Sequence, residues 1–136
     1  MSKFYFSKQS LKNLEGVDER LVKVAKKALE ITKVDFSVVE GVRSAERQFK
    51  LYKKGLTELD GYKRKSAHQL GKAIDIVPYV KEKGGKLWKL KGNEREWLEV
   101  GRAMLRSARL LNIDIEWGLT YNIGDGYDLP HFQLKD

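Results

Sequence analysis

The stretch that decides how this chain folds is Ser66-Ala-His68-Gln-Leu-Gly71-Lys-Ala73-Ile-Asp75. It leads from a basic loop into an apolar strand. Asp75 lies inside that strand, where burial of an ionised carboxylate costs free energy unless a positively charged group pairs with it. His68 precedes Asp75 by seven residues, so the two side chains would face opposite ways on an unbroken strand. We expect Gly71 to supply the bend that brings both to one point.

The second histidine of the chain, His131, also lies close to an aspartate, in the segment Asp128-Leu-Pro130-His131-Phe-Gln-Leu134. A spacing of three separates the two side chains on a strand, and Pro130 indicates a turn there. Convergence of both histidines with Asp75 would form a three-ligand zinc site with an open fourth position, which is the catalytic pattern. Asp128, outside that ligand set, would then take the proton of an attacking water.

Simpler interpretations of the same residues stay open at this point. Either histidine is compatible with a surface or core position, and Asp75 with an ion pair to Arg43 instead of a metal. Asp128 is compatible with a turn cap, since aspartate is common beside glycine and proline in turns. Spacing alone does not decide between these roles and a zinc site.

Length and composition restrict the class of protein. The 136 residues suffice for one domain and are too few for two ordinary ones, so we treat residues 1–136 as a single domain. A content of 41% hydrophobic and 34% charged residues excludes a disordered tail, and the lack of cysteine excludes disulfides and thiolate metal sites.

No apolar run approaches the ~20 residues that span a bilayer, and residues 1–16 contain no signal-peptide core. We therefore expect synthesis in the cytoplasm and no membrane insertion.

The net charge of +8 is unevenly distributed along the chain. Lys and Arg outnumber Asp and Glu by nine to three between Arg43 and Lys72 and by nine to four between Lys81 and Arg109, whereas acidic residues lead by five to one from Asn112 onward. Such a basic surface suits nucleic acid, anionic lipid or the acidic polymers of a bacterial envelope. The sequence has no standard nucleic-acid motif, which counts against a specific nucleic-acid partner.

Hydrophobic periodicity predicts helices interspersed with short strands. Phe49 and Tyr52 are expected to turn inward from the second helix, Pro78 to end a strand, and Asn93 with Glu96 to form a capping box. Irregular crossovers favour an α+β fold with a small, mostly antiparallel sheet packed with helices. The predicted helices are 18–31, 44–54 and a longest one from 93 onward, and the predicted strands are 34–40, 73–77, 113–117 and 131–134, with a polar loop at 81–92.

The motif Ser66-x-His68-x-x-Gly71-x-Ala73-x-Asp75, followed by Asp128-x-x-His131, resembles the signature of the zinc peptidases that include D-Ala-D-Ala carboxypeptidases and vancomycin-resistance dipeptidases. Five fixed residues within ten arise by chance at a given position about once in 10⁶ or more rarely, so the motif is specific. The resemblance implies an α+β fold of the Hedgehog and D-Ala-D-Ala-peptidase type.

Three further segments resemble one branch of these enzymes, the short L-alanyl-D-glutamate endopeptidases, which are mostly phage endolysins. The segments are Phe6–Leu14, Asp35–Ser44 and Pro130–Leu134. The likeness runs from Phe4 to Leu134, which leads us to expect no separate wall-binding domain.

Transferred residue by residue, the resemblance implies one zinc ion bound by His68, Asp75 and His131. It implies Asp128 as the general base, at a position where some relatives have Glu, and Arg43 as the cation that stabilises the carbonyl oxygen. Pairing with a buried carboxylate is the alternative role of Arg43. The remaining transfers are Ser66, which would orient the site or bind substrate, and Trp117 and Tyr121, which would lie at the cleft or, as we favour, in the core.

The reaction that the resemblance implies is hydrolysis of the amide between L-Ala and D-Glu in the stem peptide of bacterial peptidoglycan. The enzyme would be a monomer that is released from the host cytoplasm at lysis, and its basic surface would concentrate it on anionic envelope polymers. Three alternatives stay open. They are a D-Ala-D-Ala carboxypeptidase or dipeptidase with the same metal site, a non-catalytic basic domain that binds polyanions, and a zinc-binding relative that has lost catalysis.

Overall fold

The computed structural model describes residues 3–118, 122–123, 126–127 and 129–135. Its helices are α1 (Lys8–Asn13), α2 (Glu19–Ile31), α3 (Ala45–Lys53) and α4 (Glu94–Leu110), with a 3₁₀ turn at Lys81–Lys83. Its strands are β1 (Phe36–Glu40), β2 (Ala73–Val80), β3 (Gly85–Lys86), β4 (Ile115–Trp117), β5 (Asn122–Ile123), β6 (Gly126–Tyr127) and β7 (His131–Leu134). None of the helices in these ranges has both the length and the apolar character that crossing a membrane requires.

The main sheet has the strand order β1-β2-β7-β4, and β3 pairs with the far end of β2. All of these pairs are antiparallel, which confirms the predicted sheet type. The register places Glu40 beside Asp75 and Asp75 beside His131, so three ionisable residues form one row across three strands. A register shift between Val38 and Glu40 precedes the first of these pairings.

One hydrophobic core lies between the helices and the sheet. Helix α2 buries an apolar stripe, in which Leu21, Val24, Ala25 and Ala28 have no exposed surface. Helix α2 packs against α4, and α4 contacts β2 and β4. Removal of these side chains from water is the main force that holds the sheet in place. The sheet contributes Phe36, Val38, Ile74, Ile76, Trp117, Phe132 and Leu134 to the same core.

The expectation that Pro78 ends the second predicted strand is wrong. Strand β2 runs to Val80, and Pro78 pairs with Phe36 of β1. Proline has no N–H to donate, but the Pro78 carbonyl accepts from Leu87 and the next N–H, that of Tyr79, donates to the Asp35 carbonyl.

The expectation that Phe49 and Tyr52 turn inward is also wrong. Phe49 is 37% exposed and Tyr52 is 42% exposed, and the two rings stack at the surface with centroids 6.1 Å apart. The residue that α3 buries is Gln48. A polar residue is buried because its amide is hydrogen-bonded, so the hydrophobic pattern pointed to the wrong side of this helix. Ser44 caps α3, since its side chain accepts from the Arg47 N–H.

Helix α4 begins where the sequence predicted, but without the predicted capping box. The Asn93 side chain makes no capping bond. Its Nδ2 donates to the Lys89 carbonyl at 2.9 Å, and its Oδ1 accepts from Lys83 Nζ at 3.3 Å. Glu96 pairs with the same lysine at 3.2 Å. The residues that were expected to form a capping box therefore tie the preceding loop to the helix.

Candidate metal centre and cleft

The turn between Ser66 and Gly71 brings His68 to the start of β2. The Ser66 N–H donates to Gln69 Oε1 at 3.0 Å, and the Gln69 N–H donates to Ser66 Oγ at 3.3 Å, so the two residues close the turn. Gly71 has a φ of 71°, a left-handed conformation that glycine adopts without strain. Gly71 thus supplies the predicted bend, and His68 meets Asp75 although seven residues separate them.

His68, Asp75 and His131 converge where β2 pairs with β7. The His68 Nε2 atom lies 3.1 Å from Asp75 Oδ1, and the His131 Nδ1 atom lies 3.4 Å from the same oxygen. One ligand atom from each residue lies within 4.8 Å of the other two, and both histidines are buried. The three side chains that the sequence singled out therefore form a group that could hold a metal ion.

Each histidine is oriented by an acceptor on the side away from this group. His68 Nδ1 donates to the Gly41 carbonyl at 2.9 Å, which leaves Nε2 as the nitrogen that faces the site. His131 Nε2 donates to Gln133 Oε1 at 2.7 Å, which leaves Nδ1 as the nitrogen that faces it. Gln133 Nε2 lies 3.5 Å from Glu116 Oε2, which only accepts, so the amide oxygen faces the histidine. Outer partners of this kind fix the tautomer of metal-binding histidines.

Sequence reasoning missed both of these acceptors. Gln133 follows His131 by two residues on a strand and so shares its face, which is a signal that the sequence contains. The Gly41 carbonyl gives no such signal, because every residue type carries one. Glycine is needed at this position for another reason, since a Cβ on Gly41 would run into the backbone of Asn13.

The Asp75 carboxylate is ionised in this setting. Burial tends to raise its pKa, but hydrogen bonds and charge from His131 and His68 outweigh burial and hold the pKa well below its ordinary value. One anionic oxygen ligand and two imidazoles form a donor set that suits zinc and similar divalent metals. The residues present therefore fit the metal that the resemblance implies.

Arg43 lies in the wall of the cleft and pairs with a carboxylate other than Asp75. Its Nε and Nη2 atoms donate to the two oxygens of Glu40 at 2.9 Å each, and its Nη1 atom donates to Gln48 Oε1 at 2.8 Å. Gln48 is fixed in turn by donation to the Leu59 carbonyl at 2.9 Å. Arg43 therefore does not pair with Asp75, and the carboxylate that it does pair with, Glu40, has a side chain that is 18% exposed.

One cleft of about 770 Å³ contains the metal group and Arg43. A cleft of this size accommodates a short peptide or a small molecule. Ser66 lies in its wall and is 5% exposed, with its hydroxyl engaged in the turn. Besides the metal group, the lining side chains that matter here are Glu40, Arg43, Arg47, Glu58, Glu116 and Gln133.

Trp117 belongs to the core, which is the position that the sequence favoured. It is 4% exposed, stacks on Phe132 with ring centroids 5.5 Å apart, and donates its indole N–H to the Leu129 carbonyl at 2.7 Å. Two other predictions, the general base Asp128 and the aromatic Tyr121, lie outside the described residues.

Comparison with known proteins decides the family. A sequence model described as phage L-alanyl-D-glutamate peptidase matches residues 1–132. The chain belongs to this family. It is 33% identical over 134 residues to the L-alanyl-D-glutamate peptidase of Escherichia phage T5, and the alignment covers 97% of this chain and 90% of that protein.

Two solved structures resemble this member of the phage L-alanyl-D-glutamate peptidase family. The L-Ala D-Glu endopeptidase ChiX of Serratia marcescens matches with a TM-score of 0.80 and 31% identity, over 98% of this chain and 92% of ChiX. The LdcB LD-carboxypeptidase matches with a TM-score of 0.60 and 17% identity, over 98% of this chain and 64% of LdcB. The likeness to LdcB is one of fold alone. Both matches confirm the predicted α+β class.

Proposed function

We propose that this family member is a zinc-dependent peptidoglycan hydrolase that cleaves the amide between L-Ala and D-Glu in the stem peptide. The observation that carries the proposal is the convergence of His68, Asp75 and His131 in the cleft of a chain that belongs to this family. In the reaction, a water oxygen bonds to the alanyl carbonyl carbon, the C–N bond breaks, and the amino group of D-Glu leaves with a proton.

One zinc ion is the metal that we propose for the group of His68, Asp75 and His131. Two imidazoles and one carboxylate leave a fourth position for water or substrate, which is characteristic of catalytic zinc. When bound, zinc would polarise the scissile carbonyl and lower the pKa of a water molecule that it binds to roughly 7. The Gly41 carbonyl and Gln133 support this assignment, because they orient both imidazoles so that one ring nitrogen of each faces the site.

Side chains of the chain itself move the protons and stabilise the substrate oxygen in this proposal. Asp128 acts as general base, taking a proton from the attacking water and returning it to the leaving amine nitrogen. Arg43 stabilises the negative charge on the carbonyl oxygen with the N–H groups that Glu40 and Gln48 leave unused. Ser66 orients the site from the turn in the cleft wall.

A lytic role follows from the same proposal. The chain would act as a single, monomeric domain that is made in the host cytoplasm and reaches the wall after release. Membership of a phage peptidase family supports this role. The net charge of +8 supports an additional electrostatic contact with anionic polymers of the envelope.

Mass spectrometry of purified muropeptides tests the proposed function. Disaccharide-tripeptides and disaccharide-pentapeptides are incubated with the protein, with and without a chelator. We expect a product cut between L-Ala and D-Glu, no product with the chelator, and recovery when zinc is added back. Loss of only the terminal D-Ala would assign a carboxypeptidase instead. If no bond breaks in the presence of zinc, the proposed function is wrong.

Two substitutions separate metal binding from turnover in this assay. His131→Ala removes a proposed ligand, so we expect it to abolish both activity and tight zinc binding. Asp128→Asn removes the proposed base, so we expect turnover to fall by a factor of about 10² to 10⁴ while zinc stays bound. Near-normal turnover by Asp128→Asn would show that another group is the base.

A further inference from the structure

A second arginine of the cleft, Arg47, has no part in the mechanism proposed above. It lies in the first turn of α3, and its side chain is 58% exposed and lines the cleft. Its Nε atom donates to Glu40 Oε1 at 2.9 Å, which is the oxygen that also accepts from Arg43 Nε. One carboxylate therefore holds two guanidinium groups next to each other.

The two guanidinium groups differ in what they leave available to a ligand. Each of the three nitrogens of Arg43 already donates to Glu40 or Gln48, so each terminal nitrogen keeps only one further N–H, and the side chain is only 11% exposed. For Arg47, no acceptor among the described residues contacts the two terminal nitrogens. Because a guanidinium presents its terminal N–H groups as a planar fork, Arg47 offers a bidentate site for a carboxylate.

Glu40 holds Arg47 in place because it stays ionised. Burial tends to raise the pKa of Glu40, but hydrogen bonds from Arg43 and Arg47 outweigh burial and lower the pKa below its ordinary value. Glu40 also pairs in register with Asp75 across β1 and β2. The carboxylate that anchors Arg47 is thus the direct strand neighbour of a proposed metal ligand.

The charged side chains of the cleft wall are of two kinds. Among the described lining residues, Arg43 and Arg47 are the only permanent cations, whereas four side chains are carboxylates. Glu40 is paired with both arginines and Asp75 belongs to the metal group, so apart from a metal held there the arginine side is where an anionic group of a substrate meets permanent positive charge. The four carboxylates are Glu40, Glu58, Asp75 and Glu116.

The substrate of the proposed reaction carries an anionic group next to the bond that breaks. In the stem peptide, D-Glu continues the chain through its γ-carboxyl group, so its α-carboxylate is free and only one carbon atom separates it from the scissile nitrogen. We propose that Arg47 binds this α-carboxylate through its two terminal nitrogens and selects stem peptides with D-Glu over those with the α-amide, D-isoglutamine. This inference rests on the proposed function.

The α-amide is a demanding competitor because it has almost the same shape as the carboxylate. It replaces one acceptor oxygen by an NH₂ donor and carries no charge. The fork of Arg47 would then face a donor with one of its nitrogens and lose the attraction between opposite charges. Sites built to bind a polar group discriminate strongly against an analogue that leaves the site unpaired.

The test compares two soluble disaccharide-tripeptides that differ only in the α-carboxylate or α-amide of the second residue. For the wild-type protein we expect kcat/KM to be at least about tenfold higher with the carboxylate, as a charge-assisted bidentate bond implies. For Arg47→Ala we expect this ratio to fall close to one, mainly through a higher KM for the carboxylate substrate. Lys50→Ala removes an exposed cation of the same helix, and we expect it to keep the wild-type ratio.

The Arg47→Ala variant is expected to fold. Alanine is the best helix former, and the Arg47 N–H that Ser44 caps is a backbone group that the substitution keeps. Arg43 alone still donates to both oxygens of Glu40, so the neighbouring guanidinium stays in place.

Two outcomes would overturn the inference. In both of them the peptides are still cleaved, so the proposed function is unaffected. One is a wild-type ratio close to one. The other is a similar loss of kcat/KM for both substrates in Arg47→Ala, which would assign the residue a structural role. If the wild-type protein cleaves neither tripeptide with zinc present, the proposed function is wrong and this inference falls with it.

Discussion

His68 and His131 each donate a ring N–H to an acceptor outside the metal group, namely the Gly41 carbonyl and the Gln133 amide oxygen. These bonds fix which nitrogen of each ring faces the metal group before any metal binds. A histidine without such a partner would have to be oriented and brought into the right tautomer when the metal arrives, which weakens binding. Of the two acceptors, Gln133 is the one that a substitution can remove without altering the backbone.

Gln133→Ala tests this role at the level of one side chain. We expect zinc affinity to fall by a factor of about 10 to 100, because His131 loses the acceptor that orients it. Competition with a chromophoric chelator measures the affinity. Gln9→Ala is the control, since Gln9 is exposed and its amide donates to Asn13 within α1. Equal zinc affinity in Gln133→Ala and the wild type would show that the hydrogen bond does not support the site.

The contribution of Glu40 and its two arginine partners to the free energy of unfolding depends on pH. Because its pKa in the folded protein is below the ordinary value of 4.5, it stabilises the fold above that pH and loses this contribution as pH falls through its folded pKa. We expect Glu40→Gln to lower the free energy of unfolding by about 2 kcal/mol at pH 7. The difference from the wild type should shrink below about pH 4.5, as urea unfolding at several pH values would show.

Glu30→Gln is the matched control for this measurement. Glu30 is exposed and pairs with Lys27 at the surface, where solvent screens the interaction. We therefore expect it to change the free energy of unfolding little at any pH. A Glu40→Gln difference that stays constant from pH 7 to pH 3 would contradict the role assigned to the ionised carboxylate.

Among the elements, those that carry the metal group were the easiest to predict from sequence. Strand β7 has the predicted bounds, and β2 begins at the predicted residue. In β7, apolar residues alternate with polar ones, whereas β2 is a nearly continuous run of apolar residues. Gly71 marks the turn before β2. Local patterns of this kind depend on a few neighbouring residues, which is why a single sequence reveals them.

The partners of Arg43 were harder to predict although they lie only three and five residues away along the chain. Arg43 lies between the end of β1 and the start of α3, where neither the strand nor the helix period tells which side chains meet. Gln48 is buried although it is polar, because its amide bonds to Arg43 and to the Leu59 carbonyl. A hydrophobic pattern assigns such a residue to the surface and places Phe49 inside instead, which is the error made for α3.

The turn before β2 can be tested with two glycines that differ only in their surroundings. Gly71 and Gly55 both have a positive φ, but a Cβ on Gly71 would lie 2.8 Å from the Gly16 carbonyl oxygen, whereas a Cβ on Gly55 meets nothing within 4 Å. We expect Gly55→Ala to cost about 1 kcal/mol of stability from backbone strain alone and to keep zinc affinity unchanged. Gly71→Ala should cost more than this and also weaken zinc binding, because the turn carries His68.

Urea unfolding and zinc titration of both variants measure the two effects. Equal destabilisation by Gly71→Ala and Gly55→Ala would mean that the close approach to Gly16 is relieved without displacing the turn. An unchanged zinc affinity in Gly71→Ala would mean that the bend is not needed to bring His68 to Asp75.

For the whole molecule, the distribution of charge separates two kinds of electrostatic interaction. Among the described residues, the cleft wall contains four carboxylates and two arginines, whereas the chain as a whole carries a net charge of +8. Short-range pairing inside the cleft concerns one carboxylate of the substrate. The excess of positive charge acts over a longer range, on any polyanion that surrounds the substrate.

Salt separates these two interactions, because screening weakens the long-range attraction first. The Debye length is about 10 Å at 0.1 M and shortens as salt is added. We expect kcat/KM on intact, anionic wall preparations to fall by about tenfold between ~50 mM and ~300 mM potassium chloride. With a soluble disaccharide-tripeptide, kcat/KM should change much less, since this substrate keeps the D-Glu carboxylate but lacks the surrounding polymer. Parallel salt curves for the two substrates would show that the net charge does not concentrate the protein on the wall, and any salt effect would then belong to the cleft.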